Sequence, residues 1–152
     1  MARGRFRDFV EISGLDSPYI SRAEERRLLE QGISQFELDA YEARGIVLDV
    51  VQERDYRLER DIDRRILKVL ERYGGRHRKI SRRKFHDAAS LYNTLAGGVL
   101  TDEEAKVRVK HVMETNRLAP KRGGVTYSKG WYKKVGGDKK RSRFPSLLSR
   151  DI

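Results

Sequence analysis

Apolar residues recur at spacings of three and four along much of this chain. The clearest set is Ile46, Val50, Leu58, Ile62, Ile66, Val69 and Tyr73, which share one stripe of an α-helix. The stripe predicts helical structure from Gln35 to Tyr73, interrupted at Gly45, with a single long helix in its second part. Arg54 interrupts the stripe, so a regular coiled coil is not predicted. The other faces alternate acid and base from Glu53 to Asp61, giving opposite charges three or four apart and a face that water solvates. One narrow apolar stripe on so charged a helix requires a second helix to cover it, from the same chain or from another copy through residues 46–73.

Capping signals divide the rest. Ser21 with Glu24 has capping-box spacing and predicts a helix from Arg22 to Gln31, ended by Gly32, and Ser34 with Glu37 repeats the signal. Gly74-Gly75 closes the long helix. Ser81 then caps a helix with Phe85, Ala88, Ala89, Tyr92 and Ala96 on its apolar face, ending at Gly97-Gly98. Thr101 with Glu104 opens a helix to about Arg117 whose inner face is Ala105, Val109, Val112 and Met113. Beyond Pro120, alternation over Lys121–Tyr132 predicts a short hairpin. The Lys/Arg/Ser-rich stretch from Gly136 predicts a tail, and Met1–Asp8, with Arg3, Arg5 and Arg7 alternating with small or aromatic residues, predicts a flexible basic arm.

Charge separates the two halves. Residues 76–152 carry 20 Lys/Arg against 7 Asp/Glu, net +13, whereas residues 1–75 carry 14 against 16, net −2. A near-neutral half joined to a strongly basic one predicts a scaffold bearing a polyanion-binding surface. The densest cluster is Arg76, Arg78, Lys79, Arg82, Arg83 and Lys84, placed on a loop and a helix start where amides also meet an anion. Lys106, Lys110 and Arg117 lie together on one flank of the following helix, and Lys121, Arg122 and Lys129 lie in the predicted hairpin.

Several chemistries are excluded or weakened. With no cysteine, disulfides, thiolate nucleophiles and Cys-ligated zinc are absent. No apolar run reaches membrane-span length, and no signal peptide follows the Arg-rich start; a soluble, intracellular, nucleoid-associated protein is expected. His77, His86 and His111 lack metal-site spacing, and phosphate-loop and nucleophile-elbow motifs are missing. Asp61 and Asp63 point to different sides of a helix and have Arg neighbours, which fits a solvated ion-pair face. No enzyme activity, cofactor or metal is expected. Few Asn, Gln and Met beside so much charge lean towards a thermophilic source.

A helix ending at Tyr73, a basic helix from Arg82, a capped helix from Asp102 and the run Leu118-Ala119-Pro120-Lys121-Arg122-Gly123-Gly124-Val125-Thr126-Tyr127-Ser128-Lys129-Gly130 together resemble the winged helix-turn-helix family over about residues 62–135. The resemblance implies that the third helix faces the major groove through Lys106 and Lys110, with Arg122 and Lys129 on the wing. That helix has no early Asn or Gln for a two-bond contact with adenine, so backbone contact is expected over base reading.

The expected fold is mainly α: a helical bundle with a long N-terminal helical element and a winged-helix-like C-terminal half with a short β-hairpin. It divides into a basic arm and turn (1–20), a helical assembly region (21–73), a nucleic-acid-binding region (74–135) and a basic tail (136–152). The expected function is non-enzymatic double-stranded DNA binding by a regulator or architectural protein. A second reading is a structural nucleoprotein, a coat subunit that encloses the genome of a filamentous or rod-shaped archaeal virus inside the virion. A third is an RNA-bound component of a ribonucleoprotein particle.

Overall fold

The computed structural model describes residues 1–122 and 129–137. It is mainly helical, with two short strand pairs among the described residues. Its elements are α1 (Ala2–Ser13), β1 (Tyr19–Ile20), α2 (Arg22–Ser34), α3 (Ala40–Arg54), β2 (Arg57–Leu58), α4 (Glu59–Gly74), β3 (Lys79–Ile80), α5 (Arg82–Leu95), α6 (Asp102–Thr115), β4 (Ala119–Pro120) and α7 (Gly130–Lys133). A 3₁₀ turn at Gly75–His77 joins α4 to β3.

The chain forms two compact units. One comprises Met1–Ile62 with Leu95–Val99, the other Asp63–Thr94 with the described residues from Leu100 on. The boundary between them falls inside α4, at Ile62/Asp63.

The same order of elements occurs twice along the chain, as α1-β1-α2-α3-β2 and as α4-β3-α5-α6-β4. In each copy the strand entering the middle helix pairs parallel with the strand leaving the last helix, Tyr19 with Arg57 and Ile20 with Leu58, then Lys79 with Ala119 and Ile80 with Pro120. Matched positions carry matched roles. Ile20 and Ile80 are buried, Ser21 and Ser81 accept from the amides of Glu24 and Lys84, and Ala43, Val47 and Val50 correspond to the buried Ala105, Val109 and Val112. Asp55 and Arg117 both adopt left-handed backbone, at φ 57° and 60°, turning the chain from the last helix into its strand. Sequence similarity between the copies is slight, because buried volume and cap chemistry tolerate many residue choices.

The N-terminal arm is corrected by α1. Phe6 and Val10, four apart, are fully buried in a core with Leu28, Leu38, Ala43, Val47 and Val50. The alternating arginines occupy the outer faces of α1: Arg3 pairs with Glu42 and Arg7 with Glu53, while Arg5 is exposed. A Cβ on Gly14 would lie 2.2 Å from the Tyr56 ring, so the turn after α1 admits no larger residue without displacing Tyr56.

The single long helix is also corrected, since α3 ends at Arg54 and α4 starts at Glu59. The expected stripe is divided between them. Val50, Leu58, Ile62 and Ile66 are buried inside the chain, while Ile46 and Val69 are half-buried. Gly32 lies within α2 and does not end it; a Cβ there would come within 2.8 Å of Phe6 and 3.0 Å of Ala43, so hydrogen in place of a side chain permits this close approach. Ser34 belongs to α2, and Asp39 with Glu42 forms the capping box of α3. Of the expected hairpin, residues 123–128 lie outside the described residues, and Gly130–Lys133 is a helical turn. The tail from residue 138 also lies outside them.

Asp63 is buried, where sequence pattern placed it on a solvated face. It accepts a 2.6 Å hydrogen bond from the Tyr92 hydroxyl and a 2.9 Å ion-pair contact from Arg108. Burial, then the bond to Asp63, holds the Tyr92 phenol well above its ordinary range. A carboxylate in the core is tolerated when both its oxygens are engaged in this way.

Two stability outcomes follow. Phe6→Ala should lower unfolding free energy by about 3–5 kcal/mol in urea denaturation followed by circular dichroism, whereas truncating a flexible arm would have almost no effect. Asp63→Ala should cost about 3 kcal/mol or more, because it takes the carboxylate partner from Arg108 and the acceptor from the Tyr92 hydroxyl. A change below 1 kcal/mol in either variant would contradict the packing described.

Candidate nucleic-acid interface

The basic cluster after α4 has a defined local geometry. Arg78 ends the 3₁₀ turn in left-handed backbone, β3 follows, and Ser81 accepts from the Lys84 amide at 3.2 Å to start α5. Arg82, Arg83 and Lys84 then fill the first turn of α5, which holds no acidic residue. A helix start carries partial positive charge and favours anions. The first turns of α2 and α6 comply, with Glu24 and Glu25, and with Asp102, Glu103 and Glu104. The first turn of α5 does the reverse, and an external anion would relieve its repulsion.

The expected site residues divide by what holds them. Arg76, Lys79, Arg82, Arg83, Arg117, Lys121 and Arg122 are exposed, Lys106 is half-buried, and none of the eight makes an ion pair among the described residues. Arg78 is occupied: it bonds the Asn116 carbonyl at 2.8 Å and lies 3.8 Å from Glu71. Lys84 stands 4.4 Å above the Tyr73 ring. Lys110, expected in a groove, points inward; its ammonium donates to the Tyr132 and Val135 carbonyls, both at 3.1 Å, and lies 4.8 Å from the centre of the Tyr132 ring. It therefore fastens α7 to α6. Lys129 is the N-cap residue of α7. Arg3 and Arg7 are neutralised by Glu42 and Glu53.

Within the second unit a cleft of about 340 Å³ opens among α5, α6 and α7, lined by Arg82, Phe85, His86, Glu103, Lys106, Trp131 and Lys134, among others. It brings together Arg82 and Lys106, which lie 24 positions apart in sequence. Glu103 is the acid present, and its carboxylate accepts the Gly136 amide at 3.0 Å. Burial, then the Lys106 and Arg82 charges, lower the His86 imidazole below its ordinary 6.5, against an opposing pull from Asp87.

Trp131, His86 and Lys134 were not recognised from sequence as parts of one site. Sequence pattern places Trp131 in a strand, and the spacing of His86 speaks only against a metal site. The available signal was the spacing of Trp131 and Lys134, three apart, which shares a face only if the segment is helical. Among the described residues no group of His, Asp and Glu could hold a metal ion, and no helix is long and apolar enough to cross a membrane.

No protein-family model, curated protein or solved structure matches this chain. The local geometry and charge therefore carry the functional reading.

An NMR titration of the three histidines should place the His86 transition below 6.5, since burial and then the neighbouring cations favour the neutral ring. Adding an anion that enters the cleft should raise it. A transition at or above 6.5 in the free protein would contradict the charge crowding described.

Proposed function

We propose that this protein binds nucleic acid through its second unit, as a non-enzymatic regulator or architectural protein that contacts mainly the phosphate backbone of duplex DNA. The observation carrying this reading is the concentration in the second unit of cations that have no acid partner among the described residues. In the first unit Arg3, Arg7, Arg22, Arg54 and Arg60 are matched by Glu42, Glu53, Glu59, Glu11 and Glu25, and Arg5, Arg26, Arg27 and Arg44 have no such acid among the described residues. In the second, Arg76, Lys79, Arg82, Arg83, Lys106, Arg117, Lys121 and Arg122 have no such acid among the described residues. Unpaired cations on one unit are what counterion release from a polyanion requires.

The winged-helix-like arrangement is the finer form of this proposal. In it α6 faces the nucleic acid through Lys106 and Arg117, with Lys121 and Arg122 along the backbone. Lys110 contributes by holding α7. The pairing of Arg3 and Arg7 within the first unit favours this reading over a coat subunit whose N-terminal arm encloses a genome.

Binding to a duplex, followed by fluorescence anisotropy, should weaken with salt along a log-log slope of about −4 to −6, as for five to seven neutralised phosphates. Arg82→Glu with Lys106→Glu should lower affinity at least tenfold, a loss of about 1.4 kcal/mol. Arg3→Glu should change it less than about twofold, in line with the weak effect of exposed charges away from a site. Salt-independent binding, or the opposite ranking of variants, would overturn the proposal.

A further inference from the structure

The cleft among α5, α6 and α7 combines two features that phosphate-backbone contact along a duplex does not need. It is concave, at about 340 Å³ in the lower part of the range for small-ligand pockets, about 300–1,000 Å³. It also has an indole in its wall. Trp131 donates its Nε1–H to the Lys121 carbonyl at 3.3 Å and packs against Phe85 and Tyr132, with ring centres 5.3 and 5.7 Å away and the rings steeply inclined. These contacts fix the indole as a rigid wall of the cleft. Arg82, Lys106 and Lys134 supply charge around it, and none of them makes an ion pair among the described residues. His86 adds a ring that both donates and accepts hydrogen bonds.

An aromatic wall beside clustered cations matches the two chemical parts of one nucleotide, a π-face and a phosphate. In a paired duplex the base faces are stacked inside the helix and cannot reach an indole. We infer that this cleft takes a single unstacked nucleotide, from a single-stranded stretch or strand end, with its phosphate among Arg82, Lys106 and Lys134 and its base against Trp131. The exposed Arg83, Lys79 and Arg76, on the first turn of α5 and the segment leading into it, meet neighbouring phosphates. This inference rests on the nucleic-acid reading and adds to its duplex contacts a site for one unpaired nucleotide.

Trp131 is the chain's only tryptophan, so intrinsic fluorescence of the full chain reports on the cleft. Four probes distinguish the possibilities: a 12-nucleotide oligothymidylate, a blunt 12-base-pair duplex, inorganic phosphate and a phosphoserine peptide. The oligothymidylate is expected to quench Trp131 emission saturably, and Lys106→Glu to weaken that quenching at least tenfold. Trp131→Ala should lower single-strand affinity by anisotropy about tenfold, as loss of one stacking platform does, while duplex affinity stays within twofold. If Trp131→Ala fails to fold, Trp131→Leu preserves apolar packing and removes stacking.

Duplex binding with unchanged Trp131 emission on adding oligothymidylate would overturn the inference and leave the nucleic-acid reading intact. So would equal loss of duplex and single-strand affinity in a folded Trp131 variant. Quenching by inorganic phosphate at the same concentration as by oligothymidylate would mark a simple phosphate site, and tighter quenching by a phosphoserine peptide would mark a protein partner; either overturns it. Absence of binding to both nucleic acids would remove the functional reading and the inference together.

Discussion

The two parallel strand pairs are the constraint on which the local geometry of this protein depends. Each is only two residues long, yet each ties the segment entering one helix to the segment leaving the next. The Arg57 amide donates to the Pro18 carbonyl at 2.6 Å, and the Ala119 amide donates to the Arg78 carbonyl at 3.0 Å. The Lys121 amide then donates to Ile80 at 2.7 Å. These bonds satisfy backbone groups that would otherwise be left beside buried side chains. They also fix where the middle and last helices of each unit start and stop. In the second unit that places Arg82 two residues after one strand and Lys121 directly after its partner.

The same framework carries opposite electrostatics in the two units. Arg22 follows β1 and lies 3.7 Å from Glu59, which follows β2. At the matching positions the second unit has Arg82 and Lys121, two cations and no acid between them. A pairing position has become a site of uncompensated charge without a change in backbone plan. The first unit gains several ion pairs that are individually weak. The second retains cations whose repulsion is relieved when an anion arrives. Among the described residues of the basic half, Arg78, Lys84 and Lys110 are engaged with a carbonyl, a ring and two carbonyls respectively, which confines the uncompensated charge there to specific positions.

Features governed by residues three or four apart were legible in the sequence. The Thr101–Glu104 capping box, the Ser21 and Ser81 caps and the buried faces of α5 and α6 follow from such spacings. Where two local signals competed, sequence pattern favoured the wrong one. Ser34 with Glu37 has capping spacing, but the chain turns through left-handed backbone at Glu37 and bonds the Leu38 amide to Gly32, burying Leu38 and passing the cap to Asp39. Charge concealed α1, since Arg3, Arg5 and Arg7 drew attention from Phe6 and Val10. The break after Arg54 was marked by the interruption of the stripe there, yet its cause, a left-handed Asp55 with Tyr56 against Gly14, involves a partner over forty residues away.

By itself the sequence determined the helical class, the caps at Ser21, Ser81 and Thr101, the buried faces of α5 and α6 and the uneven charge, since all of these follow from short-range periodicity and composition. Tertiary structure decided the repeated strand pairing, the burial of Asp63 with Tyr92 and Arg108, the inward course of Lys110 and the meeting of Arg82, Lys106 and Trp131. Those contacts join side chains from separate helices. Their existence depends on chain reversals and packing distances, for which no spacing along a single element provides a signal.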